Sequence, residues 1–243
     1  MNALSKAKPA GATLASPVDA DPLSATVMLT IGAGRPIYVE GDPARHWFEV
    51  VSGTVMAQQL GLDGRRQLVE IYLPGDVFGF DGLDGVHAFT AEATTAAPVV
   101  LRRSCRHRLD SFCVANAALA NRFRHIALRS LSRAYRRLSE LGLHGARERM
   151  AAFLLDMEDR LAAAGVEPGG TFALPMCRGD IADYLGLARE TVSRMLHDFQ
   201  RQDILRLSGP RRIGILDRAA LRALAGCAAA QPQGPSETGH APA

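Results

Sequence analysis

The sequence predicts an α+β chain in three successive parts: an N-terminal antiparallel β-roll, one long helix, and a C-terminal winged helix-turn-helix. Three observations predict it. Between Thr26 and Arg103, short apolar or alternating runs are cut by turn residues at intervals of roughly ten residues, the pattern of an antiparallel sandwich or roll. No Gly or Pro occurs from Asp110 until Gly142, so nothing interrupts a helix there. Residues 177–200, CRGDIADYLGLARETVSRMLHDFQ, place one short apolar face on each side of Gly186, which is helix–turn–helix spacing.

Each part can be justified in chain order. Residues 1–22 are rich in Ala, Pro, Gly and Ser without periodicity, as are 227–243, and both are expected to be disordered tails. The roll is assigned to 23–109, with strand-like runs at Thr26–Ile31, Ile37–Glu40, Trp47–Val51, Thr54–Leu60, Gln67–Leu73, Ala88–Ala93 and Val99–Arg102. Turns are expected at Gly32–Gly34, Gly41–Pro43, Ser52–Gly53, Gly61–Gly64, Pro74–Asp76 and Gly82–Gly85.

The helix is assigned to 110–142. Phe112, Leu119, Phe123, Ile126, Leu131, Ala134, Leu138 and Leu141 recur along it at helical spacing, with a slip near Ser130. A helix of about 30 residues spans some 45 Å, more than one small domain covers. The economical partner is a second copy, with Leu119, Phe123, Ile126, Leu131 and Leu138 in a two-fold seam; packing wholly within the chain is the alternative. Arg122, Arg124, Arg129, Arg133, Arg136, Arg137, Arg147 and Arg149 face only Glu140 and Glu148 over this stretch. They either solvate an outer face or, with a second basic cluster near the C-terminus, meet a polyanion.

The last part is assigned to 143–226. Met150, Phe153, Leu154, Met157 and Leu161 give one side of a helix over 147–163, ended by Gly165-Val-Glu-Pro-Gly-Gly170. In the helix–turn–helix, Ile181, Ala182 and Leu185 oppose Val192, Met195, Leu196 and Phe199, while Arg189, Glu190, Ser193 and Arg194 point outward. Arginine pairing with guanine and glutamate accepting from cytosine are contacts the major groove rewards; alternatively, Glu190 and Arg194 satisfy each other one turn apart. Ile204–Leu207 and Arg212–Leu216, joined by Ser208-Gly-Pro-Arg211, read as a β-hairpin wing. Arg211 and Arg212 near its tip, with Arg178 and Thr191, are candidate phosphate contacts.

Composition excludes other classes. Of 243 residues, 47% are hydrophobic and 22% charged, which is globular. No run of about 18 uncharged apolar residues exists to span a membrane, and the lysines near Met1 precede no continuous apolar stretch, so export is not expected. Cys105, Cys113, Cys177 and Cys227 lack C-x-x-C spacing, which argues against a zinc site or disulfide framework and fits a cytoplasmic location. Neither a nucleophile elbow, a P-loop, His-Glu-x-x-His nor a dinucleotide fingerprint is present, so no enzyme activity and no cofactor are expected.

The order of parts resembles the CRP/FNR family of bacterial transcription regulators over about residues 23 to 225. The roll carries the resemblance in Glu40-Gly-Asp42, Val51-Ser-Gly-Thr-Val55 and Pro74-Gly-Asp-Val-Phe-Gly79, and the reader in Asp180-Ile-Ala-Asp-Tyr-Leu-Gly-Leu187 and Glu190-Thr-Val-Ser-Arg194. It implies a cyclic-nucleotide-binding-like jelly roll, a dimerisation helix, double-stranded DNA and RNA polymerase as partners, and activation. Glu190, Ser193 and Arg194 resemble the branch that reads TTGA half-sites in an inverted repeat. There Arg194 takes the guanine, Glu190 the paired cytosine and Ser193 a neighbouring thymine. Arg189 matches a position that the cAMP-responsive branch uses on an additional G·C pair. Leu174 to Leu187 resembles FixK-type regulators of low-oxygen and nitrogen-fixation programmes most closely.

The departures concern sensing. Phe80 stands where nucleotide-binding members carry a ribose-binding Glu, and His87 and Ala88 where an Arg-Ser pair holds the phosphate, so no cyclic nucleotide is expected. The first cysteine is Cys105, so an N-terminal iron–sulfur cluster is not expected. His46, His87 and His107 are read as surface or structural residues; haem or another small ligand is the alternative, with a different half-site. Cys177, beside Arg178, is a redox candidate, since sulfinic acid there would repel DNA phosphate; an inert small residue is the bland reading. A ligand-binding module with a vestigial reader, and a cupin-like enzyme, are the readings from other classes; the missing Arg-Ser pair and the lack of an H-x-H motif count against them.

Overall fold

The computed structural model describes residues 26–82, 85–165 and 171–226. The tails expected to be disordered, 1–22 and 227–243, and the loop residues 166–170 lie outside the described residues.

Eight strands build the first half: β1 Val27–Ile31, β2 Pro36–Tyr38, β3 His46–Ser52, β4 Val55–Leu60, β5 Arg66–Tyr72, β6 Val77–Phe78, β7 Thr90–Ala93 and β8 Val99–Cys105. They form two antiparallel sheets of four, ordered β1-β8-β3-β6 and β2-β7-β4-β5. Alternation decides which residues fill the space between them. Phe48 and Val50 of β3, Val99 and Leu101 of β8, Val55 of β4 and Ala91 and Ala93 of β7 form a buried cluster. Trp47, just before the inward Phe48 in sequence, packs in a different cluster with Val77. Two tight passages require glycine. At Gly53 (φ 82°) an added Cβ would lie 2.7 Å from the Pro98 carbonyl oxygen, and at Gly79 (φ 93°) 3.0 Å from that of His46; both conformations disfavour any side chain.

The seven strand runs read from the sequence correspond to observed strands. Strand β6 was hidden, because two residues leave no period to detect.

The single helix expected over 110–142 is two. Helix α1 runs Arg106–Ala115 and α2 Ala117–Leu143. Asn116 between them is extended (φ −131°, ψ 96°), and its side chain accepts the Leu119 N–H at 3.0 Å. Asparagine competes with the helical backbone in this way and starts a new helix instead of continuing the old one.

Helix α3, Ala146–Ala163, buries Met150, Phe153, Leu154, Met157 and Leu161 as expected, with Ala151 and Leu155; Glu148 accepts the Gly145 N–H at 2.8 Å at its start. Strand β9 (Thr171–Ala173), helices α4 (Arg178–Leu185) and α5 (Arg189–Arg201), strands β10 (Leu205–Leu207) and β11 (Arg212–Ile215) and helix α6 (Arg218–Leu224) complete the chain. The wing is antiparallel, Leu205 opposite Ile215, and β9 makes it a three-stranded sheet by pairing with β11. Neither β9 nor α6 was anticipated. One apolar core joins the two halves: Met56, Leu68, Ile71 and Leu73 of the roll share a cluster with Met150, Leu154, Met157, Ile181, Val192 and Phe199.

Candidate nucleic-acid interface

Local sequence sets the reader. Cys177 caps α4, whose Asp180 carboxylate accepts the Cys177 N–H at 2.9 Å. Burial pushes the Asp180 carboxyl up, but hydrogen bonds from Cys177 and from Arg66 outweigh it and hold the group below the usual carboxylate range. Gly186 closes α4 in the left-handed region (φ 63°, ψ 45°), as its place in the motif predicts. Leu187 then donates to the Ala182 carbonyl at 3.0 Å and turns the chain toward α5. Val192, Met195, Leu196 and Phe199 are buried, so α5 is held from behind.

What α5 offers outward is the predicted set. Arg189, Glu190 and Arg194 are exposed, Ser193 and Thr191 half-exposed. Arg194 hydrogen-bonds to the Thr191 hydroxyl at 3.5 Å, and no ion pair joins it to Glu190 among the described residues; the mutual-satisfaction alternative is not what the structure adopts. Ala188 caps α5 without a side-chain acceptor, leaving the first-turn N–H groups open toward solvent. Arg211 and Arg212 are exposed beside the wing turn, where Leu174 donates to the Arg211 carbonyl at 2.8 Å. Cys177 is exposed and Arg178 half-buried.

The predicted seam residues divide into two groups. Leu119, Phe123 and Ile126 pack against the roll with Trp47, Val77, Phe80 and Cys113, and the Phe123 ring meets Trp47 edge-on at 5.0 Å. Leu131 and Leu138 are 47% and 68% exposed. Leu128 and Tyr135, which sequence reasoning missed, are exposed with them; the 128–131–135–138 spacing is the signal that could have found them. The slip near Ser130 thus marks a change of face. The roll-facing stripe of α2 continues as Ser130, Arg133 and Arg137, while the apolar residues move to the open side.

The arginines of this stretch also divide. Arg133 reaches Glu70 at 3.3 Å and Asp76 at 3.4 Å, and Arg136 reaches Asp156 at 3.6 Å. Arg137 lies 3.3 Å from the Tyr184 ring centroid. Arg122, Arg124 and Arg129 are exposed. Arg133 and Arg136 thus meet acids of the chain itself, whereas Arg137 meets the Tyr184 ring and the Leu68 and Tyr184 carbonyls.

Inside the roll the chain's own rings stack on one another. Tyr72 stacks on Phe78 at 4.9 Å and Phe78 on Phe48 at 5.2 Å, while Tyr38 stacks on His87 at 3.5 Å. Asp81 receives the Tyr38 hydroxyl and meets His87 Nδ1, both at 3.2 Å, and accepts the Ala88 N–H at 3.0 Å. Burial first, then Asp81, raises the Tyr38 hydroxyl above the ordinary phenol range. His87 is a buried structural group; His46 is half-buried, with its pKa lowered by burial and then by Arg103, and His107 is exposed.

Two family models match the two halves: a cyclic nucleotide-binding domain over residues 28–116 and a Crp-like helix-turn-helix domain over 148–224. The nitrogen fixation regulation protein FixK of Rhizobium meliloti is 36% identical over 200 residues, covering 82% of this chain and 87% of that protein. The chain belongs to the CRP/FNR family of DNA-binding transcription regulators. Within it the chain is FixK-like. The FixK protein of Bradyrhizobium diazoefficiens is 37% identical over 193 residues, 79% of each chain. The solved structure of FixK2 from Bradyrhizobium japonicum superposes with a TM-score of 0.76 at 37% identity, covering 82% of this chain and 96% of that one. No helix among the described residues is long and apolar enough to cross a membrane.

Proposed function

We propose that this CRP/FNR-family regulator binds as a homodimer to a TTGA-N6-TCAA-like inverted repeat, without cAMP, and activates genes of low-oxygen or nitrogen metabolism in the cytoplasm through RNA polymerase. The observation that carries the reading is the outer side of α5. Arg189, Glu190, Ser193 and Arg194 meet solvent together while four buried apolar residues hold the helix from behind. In the groove, Arg194 takes the guanine, Glu190 the paired cytosine and Ser193 a neighbouring thymine, with Arg189 available to one further base pair. Arg178, Thr191, Arg211 and Arg212 hold phosphates and fix the register.

The dimer seam is the open apolar stripe Leu128, Leu131, Tyr135 and Leu138; Leu119, Phe123 and Ile126 support it from the roll side. Independence from cyclic nucleotide is supported by the aromatic filling of the roll, by Phe80 against Phe123 at 6.0 Å and by the Asp81-bound His87. Cys177, exposed at the start of α4, is the place where peroxide would convert a thiol to sulfenic and then sulfinic acid, setting negative charge beside DNA phosphate. A second reading, a ligand-responsive member with a different half-site, draws on a recess of about 380 Å³ between Leu29, Ile31, Ile37, Arg45 and Arg103.

The test is binding of reduced protein to a TTGA-N6-TCAA duplex and to a scrambled duplex, with and without cAMP. Selective binding without nucleotide is expected. Selectivity that appears only with an added ligand would favour the second reading, and no preference under any condition would reject the half-site assignment.

A further inference from the structure

We propose that Arg66, on the edge strand of the roll, is a positioning residue for DNA reading: it fixes the attitude of α4, and hence of α5, relative to the roll. The proposal rests on the reader assignment above. Arg66 opens β5 opposite Leu60, and β5 lies at the end of its sheet, so its outer side is free to meet another element. That element is α4. The Arg66 guanidinium divides between the two carboxylates that α4 presents three residues apart: Nη2 bonds Asp180 Oδ1, and Nε bonds Asp183 Oδ2 at 2.8 Å. Nη1 turns back into the roll, to Gln58 Oε1 at 3.3 Å and Glu92 Oε1 at 3.4 Å. All three guanidinium nitrogens are thus engaged, in the forked geometry arginine provides and lysine does not.

The acceptor on α4 is itself part of the helix start. Asp180 is 3% exposed, and while Oδ1 takes Arg66, Oδ2 takes the Cys177 N–H. One carboxylate therefore couples the beginning of the reading head to the roll. The neighbouring residues repeat the tie. Gln67 Nε2 donates to the Asp183 carbonyl at 2.7 Å, and Arg137 of α2 donates to the carbonyls of both Leu68, at 3.1 Å, and Tyr184. Arg160 of α3 donates to the Ile71 carbonyl and to Asp76. Residues 66 to 71 of one strand are thereby fastened to α4, α2 and α3 in succession.

The placement of these ties makes them positional. Asp180 and Asp183 reach the roll through Arg66, whereas Ile181, Ala182 and Leu185 are buried in one cluster with Val192, Met195 and Leu196 of α5, so a shift of α4 carries α5 with it. Arg189, Glu190 and Arg194 remain exposed on the far side. Losing the fork leaves the head less often in the reading attitude, and apparent affinity falls in proportion to the fraction correctly placed. A head that is correctly placed about a tenth of the time binds about tenfold more weakly.

The experiment compares wild type, Arg66→Gln, Arg66→Lys, Asp183→Asn and the Arg66→Gln/Asp183→Asn double variant by fluorescence anisotropy on the specific and scrambled duplexes. Thermal melting and amide hydrogen exchange are measured alongside. Arg66→Gln is expected to lose about tenfold in specific affinity and to raise exchange in 66–72 and 178–185 together, while the rest of the roll keeps its protection. Arg66→Lys restores only part of the affinity, and the double variant is no weaker than Arg66→Gln. Wild-type affinity and wild-type exchange in a folded Arg66→Gln protein would overturn the proposal. Should Arg66→Gln not fold, Asp183→Asn, at a half-exposed carboxylate, is read by the same two outcomes. If wild type shows no preference between duplexes, the half-site reading has failed, and the exchange result alone still decides the clamp.

Discussion

Arg194 and Arg212 are both arginines on the candidate interface, yet different chemistry is expected of them. Arg194 sits exposed mid-helix on α5, its Nη2 donating to the Thr191 hydroxyl at 3.5 Å. Arg194→Ala should cost roughly 1–3 kcal/mol on the specific duplex and relax discrimination at one base, which single-base variants of the duplex will register. Arg212→Ala should weaken binding to all duplexes alike and lower the slope of affinity against salt; equal losses for both variants on specific and random DNA would show the roles to be misassigned. Cys177→Ala should bind as wild type does and lose sensitivity to peroxide, whereas retained sensitivity would place the reactive group elsewhere. Asp180 gives a pH dependence with a definite sign. Its folded pKa is depressed below 3.8, so ionised Asp180 contributes stability at neutral pH, and that contribution is lost as pH falls below about 4. Melting temperatures between about pH 6 and 2 should fall less steeply in Asp180→Asn than in wild type; parallel curves would remove Asp180 from the acid limb.

At the scale of elements, α2 carries two stripes with separate duties. The roll-facing stripe changes from Leu119, Phe123 and Ile126 to Arg133 and Arg137 because the surface it lies on changes, from Trp47 and Val77 to the acids Glu70 and Asp76. The open stripe has no such partner among the described residues. Leu131→Glu with Leu138→Glu should therefore dissociate the proposed dimer while leaving each chain folded, measured by sedimentation and far-ultraviolet dichroism. Phe123→Ala should cost about 2 kcal/mol of stability, since a half-buried aromatic contact is lost, and leave association intact. Periodicity in the sequence identified this helix and its slip, but it could not say that the slip exchanges one neighbour for another. Nor did it resolve Asn116, because an asparagine within a helical pattern is read as tolerated until its side chain is seen bonding the Leu119 amide.

For the whole molecule, the shared core is decisive. Leu68, Ile71 and Leu73 of β5 and the chain just beyond it are buried with residues of α3, α4 and α5, and charged groups bind the same boundary. The roll and the reader should unfold in one calorimetric transition at neutral pH. Two transitions with separate midpoints would mean that the boundary is weaker than its contacts indicate.

The sequence by itself determined the strand runs of the roll, the helix–turn–helix with its left-handed Gly186 and the outward set on α5. Each depends on period and on backbone conformation, which are local properties. Strand β9 was decided only by its pairing with β11, and β6 by its pairing with β3. The destinations of Arg66, Arg133 and Arg137 likewise came only with the tertiary structure. A charge in sequence carries no address: its partners lie 63 to 114 residues away in Arg133–Glu70 and Arg66–Asp180, and only the packing of β5 against three helices brings them within reach.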